Sequence, residues 1–348
     1  MKKLLKFLFY FIIIVISAFA IFLIYSSIDD YKPDEKITVL TSENPDLLSD
    51  TTEYSLMIWN IGYCGLNKEM DFFYDGGKNV RPSEEKVKEN IQGVKSFLLQ
   101  NQNTDFILIQ EVDKHSKRSY YFNEFDTIAN AFPERTCVYG KNYDVFFVPT
   151  PPTDPMGKVN SGLMTVSKYT PEISFRHAFP GNYSWPTGLF MLDRCFLVNR
   201  YKLTNGKELL IINTHNSAYD DGTLKAKQMA YLKTFLKEEY KNGNYIIVAG
   251  DWNQCPPNFT PKFKENKMDS IVKTDISPDY LPKWNWLFDN SLPTNRRVTA
   301  PYKKGKTLTT VIDFLLLSPN IKGISVKNID VGFEYSDHQP VKASFKLK

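Results

Sequence analysis

The hydrophobic pattern of the chain begins with one long apolar segment. Residues 7–25 carry no charge and are apolar almost throughout, which is about the length that a helix needs to cross a bilayer. Three lysines precede the segment, and Asp29 and Asp30 follow it. By the positive-inside bias, this pattern predicts a signal anchor over residues 1–30, with the rest of the chain exported. Small residues around Ala20 also suit signal-peptide cleavage, so a secreted form is the alternative.

The segment after the apolar run has a different character. Residues 31–52 are polar, contain Pro33 and Pro45, and show no lasting periodicity. We interpret them as a stalk. The remainder, 53–348, lies within the reach of a single domain, and we expect it to form one.

Short apolar runs and amphipathic stretches alternate within that domain. The runs at 55–61 (SLMIWNI) and 105–112 (DFILIQEV) are typical of buried strands. Between them, Ser83 is placed to cap a helix that has acids in its first turn and apolar residues at helical spacing. Strand, helix and strand form a βαβ-like unit, which puts Asn60 and Glu111 at corresponding strand ends.

The second half of the domain predicts a hairpin, a helix and several strands. Asn-Gly within residues 204–207 joins two strand-like runs, and an amphipathic helix covers 223–240. Further strands are predicted at 245–249, at 310–317 and after Pro340. Many short strands with few helices favour an α+β fold in which helices cover two packed sheets.

The net charge lowers the prospect of tight nonspecific binding to nucleic acid. The chain carries 43 Lys and Arg against 39 Asp and Glu, and the three N-terminal lysines account for most of the excess, leaving +1. A domain that binds long nucleic acid by charge alone is normally far more basic. A nuclease is not excluded, because a metal ion and a few side chains can hold phosphate locally.

The cysteine pattern argues against a structural zinc site. Four cysteines are spread singly along the chain, without CxxC or Cys/His ligand spacing. Export permits disulfides, so free thiols and one or two bridges are both open.

Polar residues interrupt the apolar runs near one end of each. Any one of them could be an ordinary turn residue. A carboxylate directly after ILIQ, however, would be costly to bury without a partner or a metal ion. Two of the four histidines in the chain also belong to this pattern. In chain order the motifs are WN at Asn60, QE at Glu111, NTH at His215, GDWN at Asp251 and Asn253, IDF at Asp313, and SDHQP at Asp337 and His338.

These motifs, in this order and spacing, resemble the endonuclease/exonuclease/phosphatase superfamily, which includes pancreatic-deoxyribonuclease-like nucleases and neutral sphingomyelinases. The resemblance runs from about Ser55 to Leu347. It implies a four-layered α/β/β/α sandwich with two mixed β-sheets flanked by helices. It also implies a divalent cation, Mg²⁺ first and Mn²⁺ or Ca²⁺ as alternatives, held by Asn60, Glu111 and Asp337.

The resemblance also implies roles for five catalytic residues. Asp251 would orient or deprotonate the attacking water, and Asn253 would hydrogen-bond the phosphate. His338 would donate to a phosphate oxygen. Asp313 would pair with His215, fixing its tautomer and raising its pKa.

Two more residues match positions that relatives use for substrate. Arg194 precedes the strand that leads to NTH and could clamp phosphate, although a surface ion pair explains it nearly as well. Asn160 could face the substrate, although a turn before a strand is the simpler interpretation.

Family resemblance leaves the substrate open, since loops grafted on a fold decide it. The first hypothesis is an exported, membrane-anchored phosphodiesterase that hydrolyses nucleic acid and contacts the lipid bilayer through residues 7–25. A sphingomyelinase-like activity on phospholipid and a small-molecule phosphomonoesterase are the alternatives. A catalytically dead surface binding module is disfavoured by the complete set of acids, amides and histidines. The aromatic segments 179–191 and 280–288, if exposed, could stack on bases or enter a headgroup layer.

Overall fold

The computed structural model describes residues 1–218, 222–263 and 275–348. Within them, the predicted βαβ unit, hairpin and later strands are all present. The α-helices are α1 (Lys2–Ile28), α2 (Glu84–Gln100), α3 (Glu124–Ala129) and α4 (Thr223–Lys241). The strands are β1 (Lys36–Thr41), β2 (Leu47–Leu48), β3 (Glu53–Asn60), β4 (Phe106–Asp113), β5 (Thr136–Val148), β6 (Gly157–Ser167), β7 (Ile173–Ala178), β8 (Cys195–Leu203), β9 (Glu208–His215), β10 (Tyr245–Asp251), β11 (Asn285–Leu287), β12 (Asn295–Arg296), β13 (Thr309–Thr310), β14 (Asp313–Leu317), β15 (Ile321–Asn328) and β16 (Val341–Leu347).

Most of these strands belong to two mixed sheets. The first sheet has the order β1-β7-β8-β9-β10-β14-β11, with β2 paired to β8. The second sheet has the order β15-β16-β3-β4-β6-β5. Parallel pairs lie inside both sheets, β9 with β10 and β3 with β4, among antiparallel neighbours. Strands β12 and β13 form a separate two-stranded ribbon.

The alternation of side chains along the central strands builds the layers. Successive residues of a strand point to opposite faces. In β3, Leu56 and Ile58 therefore pack against the first sheet, whereas Met57 and Trp59 pack against α2. The inner face of the first sheet packs against the second sheet, and its outer face packs against α4. The four-layered α/β/β/α sandwich is confirmed, and burial on both faces explains why these strands are continuously apolar.

The helix that covers the second sheet begins as its sequence predicts. Ser83 is the N-cap of α2, and its Oγ accepts a hydrogen bond from the Lys86 backbone N–H at 3.3 Å. Glu84 and Glu85 lie in the first turn, where the helix dipole favours negative charge.

The N-terminal helix is exposed along most of its length. Among the described residues, α1 is long and apolar enough to cross a membrane, a test that a signal sequence also passes. Its last turns touch the domain: the ring of Phe22 stacks on that of Phe190 with centroids 5.6 Å apart. The rings of Tyr25 and Phe146 meet edge to face at 4.7 Å. The C-terminal end of α1 therefore packs against the two-sheet domain.

The predicted stalk over residues 31–52 is wrong for part of its length. Strand β1 pairs antiparallel with β7, and β2 pairs with β8, so both belong to the first sheet. The run KITVLT has the β-branched residues of a strand. Its side chains at the edge of the sheet are exposed or half-buried, so the period-two contrast that marks a core strand is missing.

All four cysteines, Cys64, Cys137, Cys195 and Cys255, are free thiols. Burial raises the pKa of Cys137 and Cys195 to about 11, which keeps both protonated at neutral pH. Of the two possibilities that the sequence left open, free thiols or disulfide bridges, the structure has free thiols.

Candidate active site

Strand register gathers the polar strand ends at one pole of the sandwich. The parallel register of β9 and β10 sets His215 beside Asp251, and the antiparallel register of β10 and β14 sets Asp251 beside Asp313. In the second sheet, Asn60 lies beside Gln110, the residue before Glu111. The side chains from both sheets meet in the space between them.

Asp251 is the centre of this cluster. Its Oδ2 accepts a hydrogen bond from Asn60 Nδ2 at 3.0 Å. The same oxygen lies 3.5 Å from His215 Nε2 and 3.7 Å from His338 Nε2. Its Oδ1 accepts from the backbone N–H of Asn253 at 2.8 Å. One buried carboxylate is thus shared by an amide and two imidazoles, the arrangement expected of a group that manages a proton.

Left-handed backbone aims two of the site residues. Glu111 has φ 58° and Asn253 has φ 50°, values that non-glycine residues seldom adopt. Glu111 lies where the register of β4 with β6 breaks between Ile109 and Val112. This bulge turns Glu111 toward Asn60, whose Nδ2 lies 3.2 Å from Glu111 Oε1. Strain of this kind concentrates at functional sites.

The donor set fits a hard divalent cation. Glu111 and Asp337 line the same cavity as Asp251, together with the histidines. Burial, reinforced by the negative charge of Glu111 and opposed by His338, raises the pKa of Asp337 to about 7. A divalent cation that takes oxygen ligands would reduce the repulsion between these neighbouring carboxylates. Glu111, Asp337 and the amide of Asn60 are the residues that could hold it.

Asp313 pairs with His338, which corrects the predicted pairing with His215. Asp313 Oδ2 lies 2.8 Å from His338 Nδ1, and both side chains are buried. Burial alone would lower the pKa of His338, but the carboxylates of Asp313 and Asp251 raise it to about 10. The two carboxylates therefore favour the cationic form of His338 at neutral pH, and its Nε2 lies 3.0 Å from Asn295 Nδ2.

His215 is the neutral member of the histidine pair. Burial, with a contribution from the positive charge of Arg194, holds its pKa well below the usual range. Its Nδ1 has no hydrogen-bond partner among the described residues. The predicted rise of the His215 pKa is therefore wrong, because the carboxylate that would have caused it faces the other histidine.

Asp251, Asp313 and His338 also bring ligand-type atoms within 4.8 Å of one another. A metal ion there would compete with the hydrogen bond from His338 Nδ1 to Asp313, since the nitrogen that donates the proton has no lone pair to offer. These three residues are therefore candidates for proton handling, and their ligand-type atoms are a second candidate set for a metal ion.

The site opens into a cavity of about 670 Å³. Arg194 lines it, and its contact with the substrate stays a prediction. On β6 the lining residue is Ser161, whereas the main chain of Asn160 is bonded to Lys114 and Ser116. The lining also includes polar residues that the sequence did not indicate, because none of them directly follows an apolar run; among them are Arg118, Asn142, Ser161 and Asn295.

Gly62 has no room for a side chain. Its φ is +52°, and a Cβ there would lie 2.8 Å from Asp337 Oδ1 and 3.2 Å from Ser336 Oγ. We expect Gly62→Ala to displace Asp337 and lower kcat/KM about tenfold to a hundredfold, as a misplacement near 1 Å does. Gly206→Ala is the matched control: φ is +78°, but nothing lies within 4 Å of the added Cβ. If Gly62→Ala and Gly206→Ala had equal activity in a phosphodiester assay, the predicted displacement of Asp337 by the added Cβ would be contradicted.

Two sheets with buried acids, amides and paired histidines at one pole define a hydrolase of phosphate esters. The model of the Endonuclease/Exonuclease/phosphatase family matches residues 57–338. The chain belongs to this family and is a metal-dependent phosphoesterase.

Solved structures with this fold cover most of the chain at low identity. The endonuclease/exonuclease/phosphatase from Bacteroides vulgatus superposes with a TM-score of 0.54 and 17% identity, covering 85% of this chain and 100% of its own. D. rerio TDP2, crystallised with a single-strand DNA product, gives 0.52 and 15% over 85% and 100%. ANGEL2, described as a 2',3'-cyclic phosphatase, gives 0.52 and 14% over 85% and 95%. At these identities the likeness shows the fold alone.

A curated relative matches a shorter part of the chain. The UPF0294 protein of Vibrio parahaemolyticus is 25% identical over 159 residues, which make up 45% of this chain and 46% of the relative. The match therefore spans less than half of either protein.

Proposed function

We propose that this chain is an exported, membrane-anchored, Mg²⁺-dependent phosphodiesterase that hydrolyses nucleic acid. The observation that carries the proposal is the convergence of Asn60, His215 and His338 on one carboxylate, Asp251, at the wall of a cavity wide enough for a nucleotide. Cavities of this size are typical of small-molecule sites, so a strand end suits it better than a duplex.

The geometry supports a division of labour among the side chains. Asp251 orients the attacking water and accepts its proton, because its Oδ2 is the point that two imidazoles and an amide share. His338, held as a cation by Asp313, donates to a phosphate oxygen. Neutral His215 completes the other wall. The side-chain amide of Asn253 donates to Asn216 O at 2.9 Å, which fixes it near the phosphate position.

The proposed cation would lie between Glu111, Asp337 and Asn60. When bound, it would neutralise charge on the phosphate oxygens and the leaving oxygen. The chain's contribution there is a set of buried oxygen donors with an unbalanced negative charge.

Aromatic residues around the cavity favour nucleic acid as the substrate. Tyr63, Phe72, Tyr74, Tyr143 and Tyr183 are among its lining residues. Stacking of a base on such a ring contributes about 1–3 kcal/mol to the binding free energy and does not depend on the base sequence of the nucleic acid. Among the solved structures with this fold, TDP2 was crystallised with a single-strand DNA product and ANGEL2 is described as a 2',3'-cyclic phosphatase, which supports the same substrate class.

Phospholipid is the second candidate, favoured by the contacts of α1. Asn182, Tyr183 and Met191 line the cavity, and the same segment carries Phe190 and Trp185, which contact the end of α1. The Trp185 side chain is 65% exposed. If α1 spans a bilayer, this loop lies at its surface, with the cavity opening beside the headgroups. The other predicted segment, 280–288, contributes Tyr280 and Trp284 to the core beneath α4 and offers no such surface.

The test uses the full-length chain in detergent. Hydrolysis of bis-p-nitrophenyl phosphate is measured with Mg²⁺, with Mn²⁺ and with EDTA, followed by single-stranded oligonucleotide, plasmid DNA and sphingomyelin vesicles under the best condition. We expect turnover that EDTA abolishes and that is fastest on single strands. Faster cleavage of vesicles, lost in Trp185→Ser but retained on bis-p-nitrophenyl phosphate, would select the lipid candidate. Absence of turnover on every substrate would contradict the proposed function.

The proposed topology has its own measurement. A reporter enzyme active only outside the cytoplasm, fused after Lys348, is expected to be active and to remain in the membrane fraction at full length. A soluble reporter with the mass of a chain cut near Ala20 would show a cleaved signal sequence instead.

A further inference from the structure

A buried arginine at the cavity wall is held in a fixed orientation. Arg118 donates to Asp113 through Nε at 3.1 Å and through Nη2 at 2.8 Å. Its guanidinium lies over the ring of Tyr63 at 3.9 Å and 5.8 Å from the ring of Tyr143. Both tyrosines are fixed in turn, because each hydroxyl donates to a backbone carbonyl, Tyr63 to Val80 at 3.2 Å and Tyr143 to Phe190 at 2.8 Å.

This arrangement leaves one amino group of Arg118 available. A guanidinium that binds a carboxylate through Nε and Nη2 directs Nη1 away from that carboxylate. Nη1 has no hydrogen-bond partner among the described residues, and Arg118 lines the cavity. Asp113 occupies one edge of the Arg118 guanidinium. The opposite edge, with Nη1, therefore faces the cavity and carries a permanent positive charge.

Two more unsatisfied donors lie on the same rung of the second sheet. Ser161 of β6 pairs with Asp113 on one side and with Tyr143 on the other. Asn142 is the extra residue where the register of β5 breaks between Lys141 and Tyr143. Both residues are 2% exposed and line the cavity, and Asn142 Nδ2 and Ser161 Oγ have no hydrogen-bond partner within the described part of the chain. A buried donor without a partner destabilises the protein, and a ligand with acceptor atoms would remove that cost.

We propose that Arg118, Asn142 and Ser161 form an oxyanion-binding subsite, separate from the proposed metal ligands, which holds a second phosphate group of the substrate. The three unfilled groups are donors, so the ligand must present several acceptor oxygens and negative charge. A tetrahedral phosphate meets this requirement, and the fork of an arginine suits it. The subsite rests on the proposed function, since the second phosphate is taken to belong to the phosphodiester that is cleaved.

The first test is substrate preference. The full-length chain in detergent is assayed on dithymidine monophosphate with no terminal phosphate, with a 5′-phosphate and with a 3′-phosphate. We expect one phosphorylated form to be preferred at least about tenfold in kcat/KM, the effect of one charged hydrogen bond. Ser161→Ala and Asn142→Asp are expected to bring the preference close to unity, and Arg118→Lys, which keeps the charge beside Asp113, to reduce it.

The matched control is Ser167→Ala. Ser167 is equally buried in the same strand, but its Oγ accepts from the Tyr169 backbone N–H at 3.0 Å, away from the cavity. We expect this variant to keep the preference of the wild type. Melting temperatures identify any variant that fails to fold. If Arg118→Lys does not fold, Ser161→Ala and Asn142→Asp still test the subsite.

A second readout does not depend on turnover. Binding of inorganic phosphate to the full-length chain is measured by calorimetry with EDTA present, and we expect Asn142→Asp to weaken it at least about tenfold. Phosphate binding that weakens in the subsite variants but not in Ser167→Ala, in a chain without turnover, would keep the subsite and reject the proposed function. Wild-type turnover without any preference, together with phosphate binding that the variants leave unchanged, would overturn the subsite.

Discussion

Asp251→Asn is expected to reduce phosphodiester turnover about 10³-fold, within the range typical of a lost general base. The amide keeps the size of the carboxylate and can still bond to Asn60, but it cannot take a proton from water. The melting temperature should stay the same or rise, because the substitution removes one negative charge beside Asp313 from a buried site. The measurement is kcat on bis-p-nitrophenyl phosphate at saturating Mg²⁺, with a melting curve for each protein.

The control for this substitution is Asp105→Asn. Asp105 lies before the opposite end of β4, where it accepts from Ser55 and pairs with Lys168 at 3.0 Å. Its loss should cost a little stability and leave turnover near that of the wild type. Similar turnover of the two variants would remove Asp251 from the reaction and leave it a structural role.

Glu111→Gln is expected to raise the Mg²⁺ concentration for half-maximal activity by about ten- to a hundredfold, the usual effect of weakening a metal site. The physical reason is charge. The amide of glutamine keeps an oxygen ligand but removes one of the two negative charges, those of Glu111 and Asp337, that attract the cation. We also expect kcat at saturating Mg²⁺ to fall, because the left-handed backbone of Glu111 positions that oxygen and no neighbour can replace it. The measurement is a Mg²⁺ titration of initial rates.

Glu172→Gln serves as the comparison. Glu172 forms a surface ion pair with Lys202, and its side chain is 35% exposed, so its loss has no route to the metal requirement. An unchanged Mg²⁺ titration in Glu111→Gln would show that the cation is held elsewhere, with the oxygens around Asp251 and Asp313 as the next set to test.

Helix α1 and the active site are closer in space than their separation in the sequence suggests. Phe190 contacts Phe22 of α1, and Tyr143, whose neighbours include Arg118, donates to the carbonyl of Phe190. The wall of the proposed subsite therefore adjoins the contact with α1 at Phe190, and β5 also reaches α1 through Phe146. This is a structural reason for making each measurement above on the full-length chain.

The central elements could be predicted from the sequence because their signals are local. A strand buried on both faces must be apolar at consecutive positions, and its first polar residues mark its end, as at Asn60 and Asp251. The cap at Ser83 and the Asn205-Gly206 turn also depend only on near neighbours. Together with the order of the motifs, these local rules indicate the candidate site residues at strand ends, but they do not indicate Arg118, Asn142, Ser161 or Asn295.

The errors fall where partners lie far apart along the chain. The sequence predicts a stalk at β1 because an edge strand is only half-covered, and the pairing of β1 with β7 has no local signal. Asp313 was paired with the wrong histidine because both lie at strand ends. Only the packing of the segment before β16 against β14 brings His338 to it.

The sequence by itself determined the strands, the helices, the family resemblance and the residue types of the catalytic set, since alternation, capping and motif order are properties of neighbouring residues. The tertiary structure decided which histidine carries the charge and where the carboxylates crowd. It also decided that Arg118, Asn142 and Ser161 share one wall of the cavity. The reason is that strand register and burial, which set hydrogen-bond partners and pKa values, arise only when distant segments pack together.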